Sequence, residues 1–248
     1  MSPGKFERKG GYFRKRILIG KARDEKPLEE KLGEIANVVF LKIRRKLVER
    51  SQGGTIALST NEHTSAGEVV DLYGENGFIA SGSAKALRER YTGLRTVQIV
   101  YALLLGKATV EPELVRIIVK GASLGSEAKD DKTTDFYKYI SSFSKDEHVW
   151  EYVTQLNVVL EKGAKNYYCI DFKRGDKLDD AFLKLAFDKM KEVHLKCVDI
   201  DTARTQKRSV DSNNRPTHVE DINADDAPSD PAPGADPFDK VNPDDIPF

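Results

Sequence analysis

Residues 37–49, NVVFLKIRRKLVE, alternate between an apolar set and a basic set of side chains. The apolar set consists of Val39, Leu41, Ile43 and Leu47. The other set, which carries three cations and one aromatic ring, consists of Phe40, Lys42, Arg44 and Lys46. A period of two is that of a β-strand with one face in the core. The stretch therefore predicts a β-rich fold in which this strand offers a basic, aromatic-bearing surface.

Five more predicted strands and one predicted helix follow on the C-terminal side. Turn residues separate the predicted strands TIALST (55–60), EVVDLY (68–73) and GFIAS (77–81), the predicted helix AKALRERY (84–91) capped by Ser81 or Ser83, and the strands LRTVQIVYALLL (94–105) and ELVRIIVKG (113–121). Three strands, a short helix and two strands form the order of an oligonucleotide/oligosaccharide-binding (OB) barrel, with GFIAS as an extra segment. We therefore expect an α+β, β-rich fold with an OB-like small β-barrel core.

Further α/β elements follow a polar stretch at 121–132, where a subdivision of the body would fall. They are a helix DFYKYISSF (135–143) capped by Thr133 or Thr134, the strands HVWEYVTQLNVVLE (148–161) and NYYCIDFKR (166–174), a helix after Asp176, and a last strand VHLKCVDID (193–201). These elements either complete the first barrel or form a small domain of their own.

The charges divide the chain into three parts. The net charge is zero, with 40 basic and 40 acidic residues, but residues 217–248 contain nine acids and one base, a net charge of −8. The chain before them carries 39 bases and 31 acids, a net charge of +8. We predict a flexible basic arm at 1–16, a β-rich nucleic-acid-binding body at 17–204, and a disordered acidic tail at 205–248, whose composition buries too little apolar surface to fold.

Cations combined with flat side chains indicate binding to nucleic acid, because phosphates attract cations and bases stack on rings. The candidate contacts are Tyr12, Arg14, Arg16, Phe40, Lys42, Arg44, Lys46, Trp150 and Tyr152. The alternative interpretation is that the cations form a solvated face and that Trp150 is a core anchor.

Signatures of catalysis and of metal binding are absent from the sequence. It contains no phosphate-binding GxxxxGK[ST] loop, no GxGxxG, no HExxH and no GxSxG. His63 is the only histidine that stands out, and a solvated loop position is its simpler interpretation. Cys169 and Cys197 lie in apolar stretches and are expected to be reduced core residues. We therefore predict a protein that is not an enzyme and has no cofactor or metal site.

The last residues, PDDIPF at 243–248, resemble the C-terminal tip of bacterial single-stranded-DNA-binding proteins, which end in acids followed by Ile-Pro-Phe. In that family the tip docks onto replication, recombination and repair enzymes. The resemblance implies that Phe248 and Ile246 fill apolar sites on a partner while Asp244 and Asp245 meet a basic rim, with Pro247 limiting the unbound ensemble. The expected function is to bind and protect single-stranded DNA and to recruit such enzymes.

The sequence is compatible with other functions as well. The same tip is compatible with a strand-annealing recombination factor or with a DNA-processing enzyme. The body is also compatible with binding to RNA or to a duplex. The chain has no apolar run of signal-peptide or membrane-spanning length, so we expect no membrane partner and a location in the cytoplasm of a bacterial or phage-infected cell, near the nucleoid. A homo-oligomer is compatible with the sequence.

Overall fold

The computed structural model describes residues 4–9, 11–17, 28–106, 111–125, 133–162, 166–211 and 221–222. Its strands are β1 (Gly4–Lys9), β2 (Tyr12–Ile17), β3 (Leu28–Gly33), β4 (Ile35–Arg50), β5 (Ile56–Thr60), β6 (Val69–Gly74), β7 (Gly77–Ser83), β8 (Arg95–Leu105), β9 (Glu113–Val119), β10 (Tyr152–Glu161), β11 (Tyr167–Lys177) and β12 (Asp221–Ile222). Its α-helices are α1 (Ala84–Arg90), α2 (Phe136–Ser141) and α3 (Asp180–Asp211). Two short 3₁₀ helices occupy Gly121–Ser123 and Val149–Glu151.

The strands form an open sheet in the order β12-β7-β6-β5-β4-β8-β9-β1-β2-β3, and β10 pairs with both β4 and β11. Most neighbours are antiparallel, whereas β1 with β9 and β12 with β7 are parallel. The predicted β-rich α+β class is confirmed, and nearly every strand predicted from alternation between residues 37 and 174 is present.

The described residues divide into two compact units. The first contains the described residues up to Ile43 and those of Ile99–Lys191, and the second contains Arg44–Gln98 and the described residues between 192 and 222. The strands β4 and β8 and the helix α3 each contribute residues to both units. Residues 121–125, the described part of the stretch where a subdivision was predicted, belong to the first unit.

An aromatic cluster forms the centre of the first unit. Phe136 and Tyr139 of α2 pack on Phe172 of β11 with ring centroids 5.6 and 5.9 Å apart, and Phe40 of β4 lies 6.2 and 6.1 Å from the same two α2 rings. All four rings are buried. The helix is capped by Asp135, whose Oδ1 accepts a hydrogen bond from the Lys138 amide at 2.9 Å, and not by Thr133 or Thr134 as the sequence suggested.

Polar groups inside this cluster are paired with one another. The hydroxyls of Tyr139 and Thr154 are 2.6 Å apart, and burial raises the pKa of Tyr139 to about 12, so the phenol stays neutral. On the other face of β11, the Asp171 carboxylate accepts a hydrogen bond from the Thr134 amide at 2.8 Å. These bonds offset the cost of burying the polar groups.

The second unit has a smaller aliphatic core, consisting of Leu47, Val70, Leu72, Ala80, Ala84, Leu87 and Leu94. The predicted helix at 84–91 is confirmed, and Ser83 caps α1 by accepting a hydrogen bond from the Ala86 amide at 3.1 Å. The β6–β7 turn ends at Gly77, whose φ of 108° suits glycine far better than any other residue.

One predicted element differs in the structure. Residues 193–201, predicted as a strand, belong to α3, and Val193 and Cys197 are buried one helical turn apart. Within the predicted arm at 1–16, residues 4–9 form β1 and residues 12–16 form most of β2. The cysteines are as predicted, because Cys169 and Cys197 are both buried and unbridged.

The pair Tyr139 and Thr154 provides a test of this core. Tyr139→Phe leaves the Thr154 hydroxyl buried without its partner and should lower the free energy of unfolding by about 1–3 kcal/mol. Thr154→Val has the matching effect on Tyr139, and the double variant should lose less than the sum of the two because no orphaned hydroxyl remains. Urea unfolding of the four proteins measures this coupling, and strictly additive losses would contradict it.

Candidate nucleic-acid interface

The strands β1 and β2 form a hairpin anchored by two buried rings. Phe6 and Phe13 stack with centroids 5.0 Å apart, and the register pairs Arg8 with Phe13 and Lys9 with Tyr12. Burial lowers the pKa of Arg8, with Cys169 of β11 acting in the opposite direction. Because an arginine stays charged under all ordinary conditions, the hairpin keeps a cation near β11.

A half-exposed tyrosine lies against the turn of this hairpin. A Cβ atom added at Gly11 would come within 3.2–3.4 Å of the Tyr168 ring, so the ring and the turn are in contact. The Tyr168 side chain is nonetheless 39% exposed. On β2, the half-buried Tyr12 ring lies under the Lys31 ammonium, with Nζ 4.6 Å from the ring centroid.

We call Lys9, Tyr12, Lys31 and Tyr168 the hairpin–tyrosine surface. Lys9 and Lys31 are exposed, and the two rings are partly exposed. Cations and rings so close together are what a single strand requires, since the cations attract phosphates and the rings stack on bases. Of these four residues, only Tyr12 is among the candidate contacts named from the sequence.

The predicted surface of β4 lies largely in the interior. Phe40 is only 1% exposed because α2 packs over it, so its ring is not available for stacking. Arg44 is also buried, and its Nη2 donates a hydrogen bond to the Glu62 carbonyl oxygen at 2.8 Å. Lys42 and Lys46 are partly buried. The alternation of this stretch correctly indicated a strand, but both of its faces are covered.

Neighbouring side chains already contact both the ring and the hydroxyl of Tyr152. The Arg174 guanidinium lies over the Tyr152 ring at 3.8 Å from the centroid, and the Tyr152 hydroxyl donates a hydrogen bond to Glu147 at 3.1 Å. Arg174 also forms an ion pair with Glu147, whose pKa it lowers to about 2. A base could stack on Tyr152 only by displacing Arg174.

Trp150 is partly buried in a row of rings. It stacks on His148 with centroids 5.5 Å apart and lies 6.1 Å from Phe187 at the start of α3. The Lys191 ammonium lies 4.2 Å from the centroid of Phe187, which is exposed. This row therefore offers a ring and a cation at its outer end, while Trp150 itself acts mainly in packing.

The other predicted contacts are placed as follows. Arg14 is buried at the β2–β3 pairing, and Arg16 stands opposite Lys5 in the β1–β2 ladder. The tip residues lie outside the described residues, namely Asp244, Asp245, Ile246, Pro247 and Phe248.

His63 is buried at 2% exposure, whereas the sequence favoured a solvated loop. Its backbone forms two hydrogen bonds with Arg45 of β4, at 2.7 and 2.9 Å. Burial lowers the pKa of His63 to about 4, helped by Arg45 and Arg44 and opposed by the Asn61 carbonyl oxygen and Glu68. The imidazole is therefore neutral near pH 7.

Within the described ranges, no three His, Cys, Asp or Glu side chains are grouped to hold a metal ion. None of the helices in the described part of the chain is both long and apolar enough to cross a bilayer. No protein-family model, no curated protein and no solved structure matches this chain.

The low pKa of His63 predicts a specific loss of stability in acid. The unfolded chain takes up this proton near pH 6.5 and the folded chain only near pH 4, so the contribution of His63 is complete above pH 6.5. About 3 kcal/mol of stability should disappear as the pH falls through this window. His63→Gln should lack this part of the loss.

The measurement is urea unfolding near pH 7 and again near pH 4.5. His194→Gln is the matched control because His194 is exposed on α3, and it should retain the pH dependence of the parent protein. If His63→Gln shows the same loss in acid as the parent protein, the imidazole is not buried in its neutral form.

Proposed function

We propose that this chain is a non-enzymatic single-stranded-DNA-binding protein that recruits DNA-processing enzymes through residues 244–248. The observation that carries the proposal is the sequence Asp-Asp-Ile-Pro-Phe behind a segment of net charge −8, attached to a body of net charge +8. A basic body suits a polyanion, and an acidic tip with two apolar side chains suits a basic, partly apolar pocket on a protein.

The hairpin–tyrosine surface supports the first part of this proposal. One base stacked on an aromatic side chain contributes about 1–3 kcal/mol to binding, without much preference among bases. Tyr168 offers a half-exposed ring, and Lys9 and Lys31 are the exposed cations of the same surface. We assign the base to Tyr168 and the flanking phosphates to the two lysines.

We extend the proposal to an OB-like core. In chain order, β4, β5 and β6 precede α1, and β8 and β9 follow it, which is the element order on which the OB prediction was based. In this proposal β7 is an added strand that forms a hairpin with β6.

The direct test is a titration with oligothymidylate, with a duplex and with RNA of equal length, each repeated across salt concentrations. Single-stranded DNA should bind more tightly than duplex, and log K should fall with log[salt] by about 0.7 for each phosphate neutralised. A preference for duplex, or no binding, would refute the proposal. Faster pairing of complementary strands would support the annealing alternative instead.

Tyr168→Leu should weaken binding of oligothymidylate by about 1–3 kcal/mol at every salt concentration, because a stacked ring is lost and no charge changes. Tyr73→Leu is the matched control, since Tyr73 is 37% exposed on β6 in the second unit. If both variants lose the same amount of affinity for oligothymidylate, Tyr168 is not part of the interface.

Phe248→Ala should leave the affinity for DNA unchanged and weaken capture of a bacterial repair enzyme that binds tips of this kind by more than tenfold, because the main apolar anchor is lost. Phe238→Ala removes a ring from the same acidic segment and serves as the matched control. The measurement is surface-immobilised capture with both variants. If Phe248→Ala still captures the enzyme as the parent protein does, Phe248 does not recruit it.

A further inference from the structure

A small cleft in the second unit is lined by several cationic side chains. Its walls are formed by β4, the loop at 61–68, the start of α1 and the start of β8. The lining residues are Arg45, Leu47, His63, Ala66, Ala84, Lys85, Arg88 and Thr96. Three of them are cations, and none of these lining residues is acidic.

The loop at 61–68 is held in place on two sides. His63 and Arg45 exchange backbone hydrogen bonds, which fix the loop to β4. The Lys85 amide donates to the Ala66 carbonyl oxygen at 2.9 Å, which fixes the loop to α1. The cleft is therefore formed before any ligand arrives, and a ligand would not bear the cost of ordering it.

One of the two acidic side chains of this loop is used within the loop. One carboxylate oxygen of Glu68 accepts hydrogen bonds from the Thr64 amide at 2.7 Å and from the Thr64 hydroxyl at 2.9 Å. Glu68 thus closes the loop, although it is near enough to affect the charge of His63. The residues that line the cleft therefore carry a net positive charge.

The positions of the cations favour a compact anion. Arg45 is only 6% exposed at the base of the cleft, whereas Lys85 is exposed and Arg88 partly exposed on α1. An anion meets a stronger field at such a base than on an open surface, because the walls exclude water. Arginine forks match the geometry of phosphate oxygens.

We propose that this cleft binds one phosphate group of a nucleic-acid strand, with Arg45, Lys85 and Arg88 as its ligands. The assignment to a strand rests on the proposed function. The phosphate comes either from an internal phosphodiester or from the end of a strand, and both present the same oxygens to the cleft.

The first test uses inorganic phosphate and the full chain. Resonances of Arg45, His63 and Lys85 in NMR spectra should shift saturably with phosphate, and acetate at equal ionic strength should not reproduce the shift. Arg88→Gln should weaken this binding several-fold. Arg90→Gln is the matched control, because it makes the same change on the same helix, away from the cleft, and should leave phosphate binding unchanged. No saturable shift, or equal effects of the two variants, would overturn the proposal.

The second test uses oligothymidylate longer than about 16 nucleotides, the upper end of the range that one OB fold covers. Arg88→Gln should reduce the salt slope of binding by about 0.7 relative to Arg90→Gln, as expected for one lost phosphate contact on a single strand. If both variants bind the strand equally, this inference fails. If the parent protein binds no strand, the proposed function itself fails.

Phosphorylating the 5′ end of the oligothymidylate distinguishes the two sources of phosphate. If the cleft binds a strand end, the 5′-phosphorylated oligothymidylate should bind the parent protein more tightly than its 5′-hydroxyl counterpart, and Arg88→Gln should abolish that difference. If the cleft binds an internal phosphodiester, the two oligonucleotides should bind alike and Arg88→Gln should weaken both.

Discussion

The packing of α2 against β11 depends on the buried rings of Phe136, Tyr139 and Phe172. A helix as short as the six residues of α2 is not stable alone, so these contacts hold it in place. Phe172 and Tyr168 lie on the same face of β11 because they are four residues apart on a strand. The core that fixes Phe172 therefore also determines where the half-exposed Tyr168 ring is presented.

The opposite face of β11 is fixed by polar contacts. Asp171 accepts a hydrogen bond from the Thr134 amide, and Glu161 of the paired strand accepts one from the Thr133 hydroxyl at 2.5 Å. The Ile170 amide donates to the Ser123 hydroxyl at 3.0 Å. These contacts hold β11 in addition to its pairing with β10. In the proposed function, a ring that is already held in place would lose little freedom when a base stacks on it, which would lower the cost of binding.

The sequence predicted the strands well because their alternation is a local property. It predicted less well what covers each face, since a period of two shows only that the faces differ. Phe40 is buried by α2, which lies about a hundred residues away in the chain. Residues 193–201 were predicted as a strand, and Val193, Leu195 and Cys197 do alternate with polar residues there. Leu195 is exposed in the structure, so the helical spacing of Val193 and Cys197 determines burial instead.

The body's net charge overstates the number of phosphates that it can neutralise. Arg14 and Arg44 are both buried, and Arg44 already donates a hydrogen bond to a backbone carbonyl oxygen. Counterions are released only where a cation reaches a phosphate, so such interior arginines add to the net charge without adding to the salt dependence. The salt dependence of strand binding should then be smaller than a charge of +8 implies. In the proposed function, a correspondingly larger share of the affinity would come from a base stacked on the half-exposed Tyr168 ring.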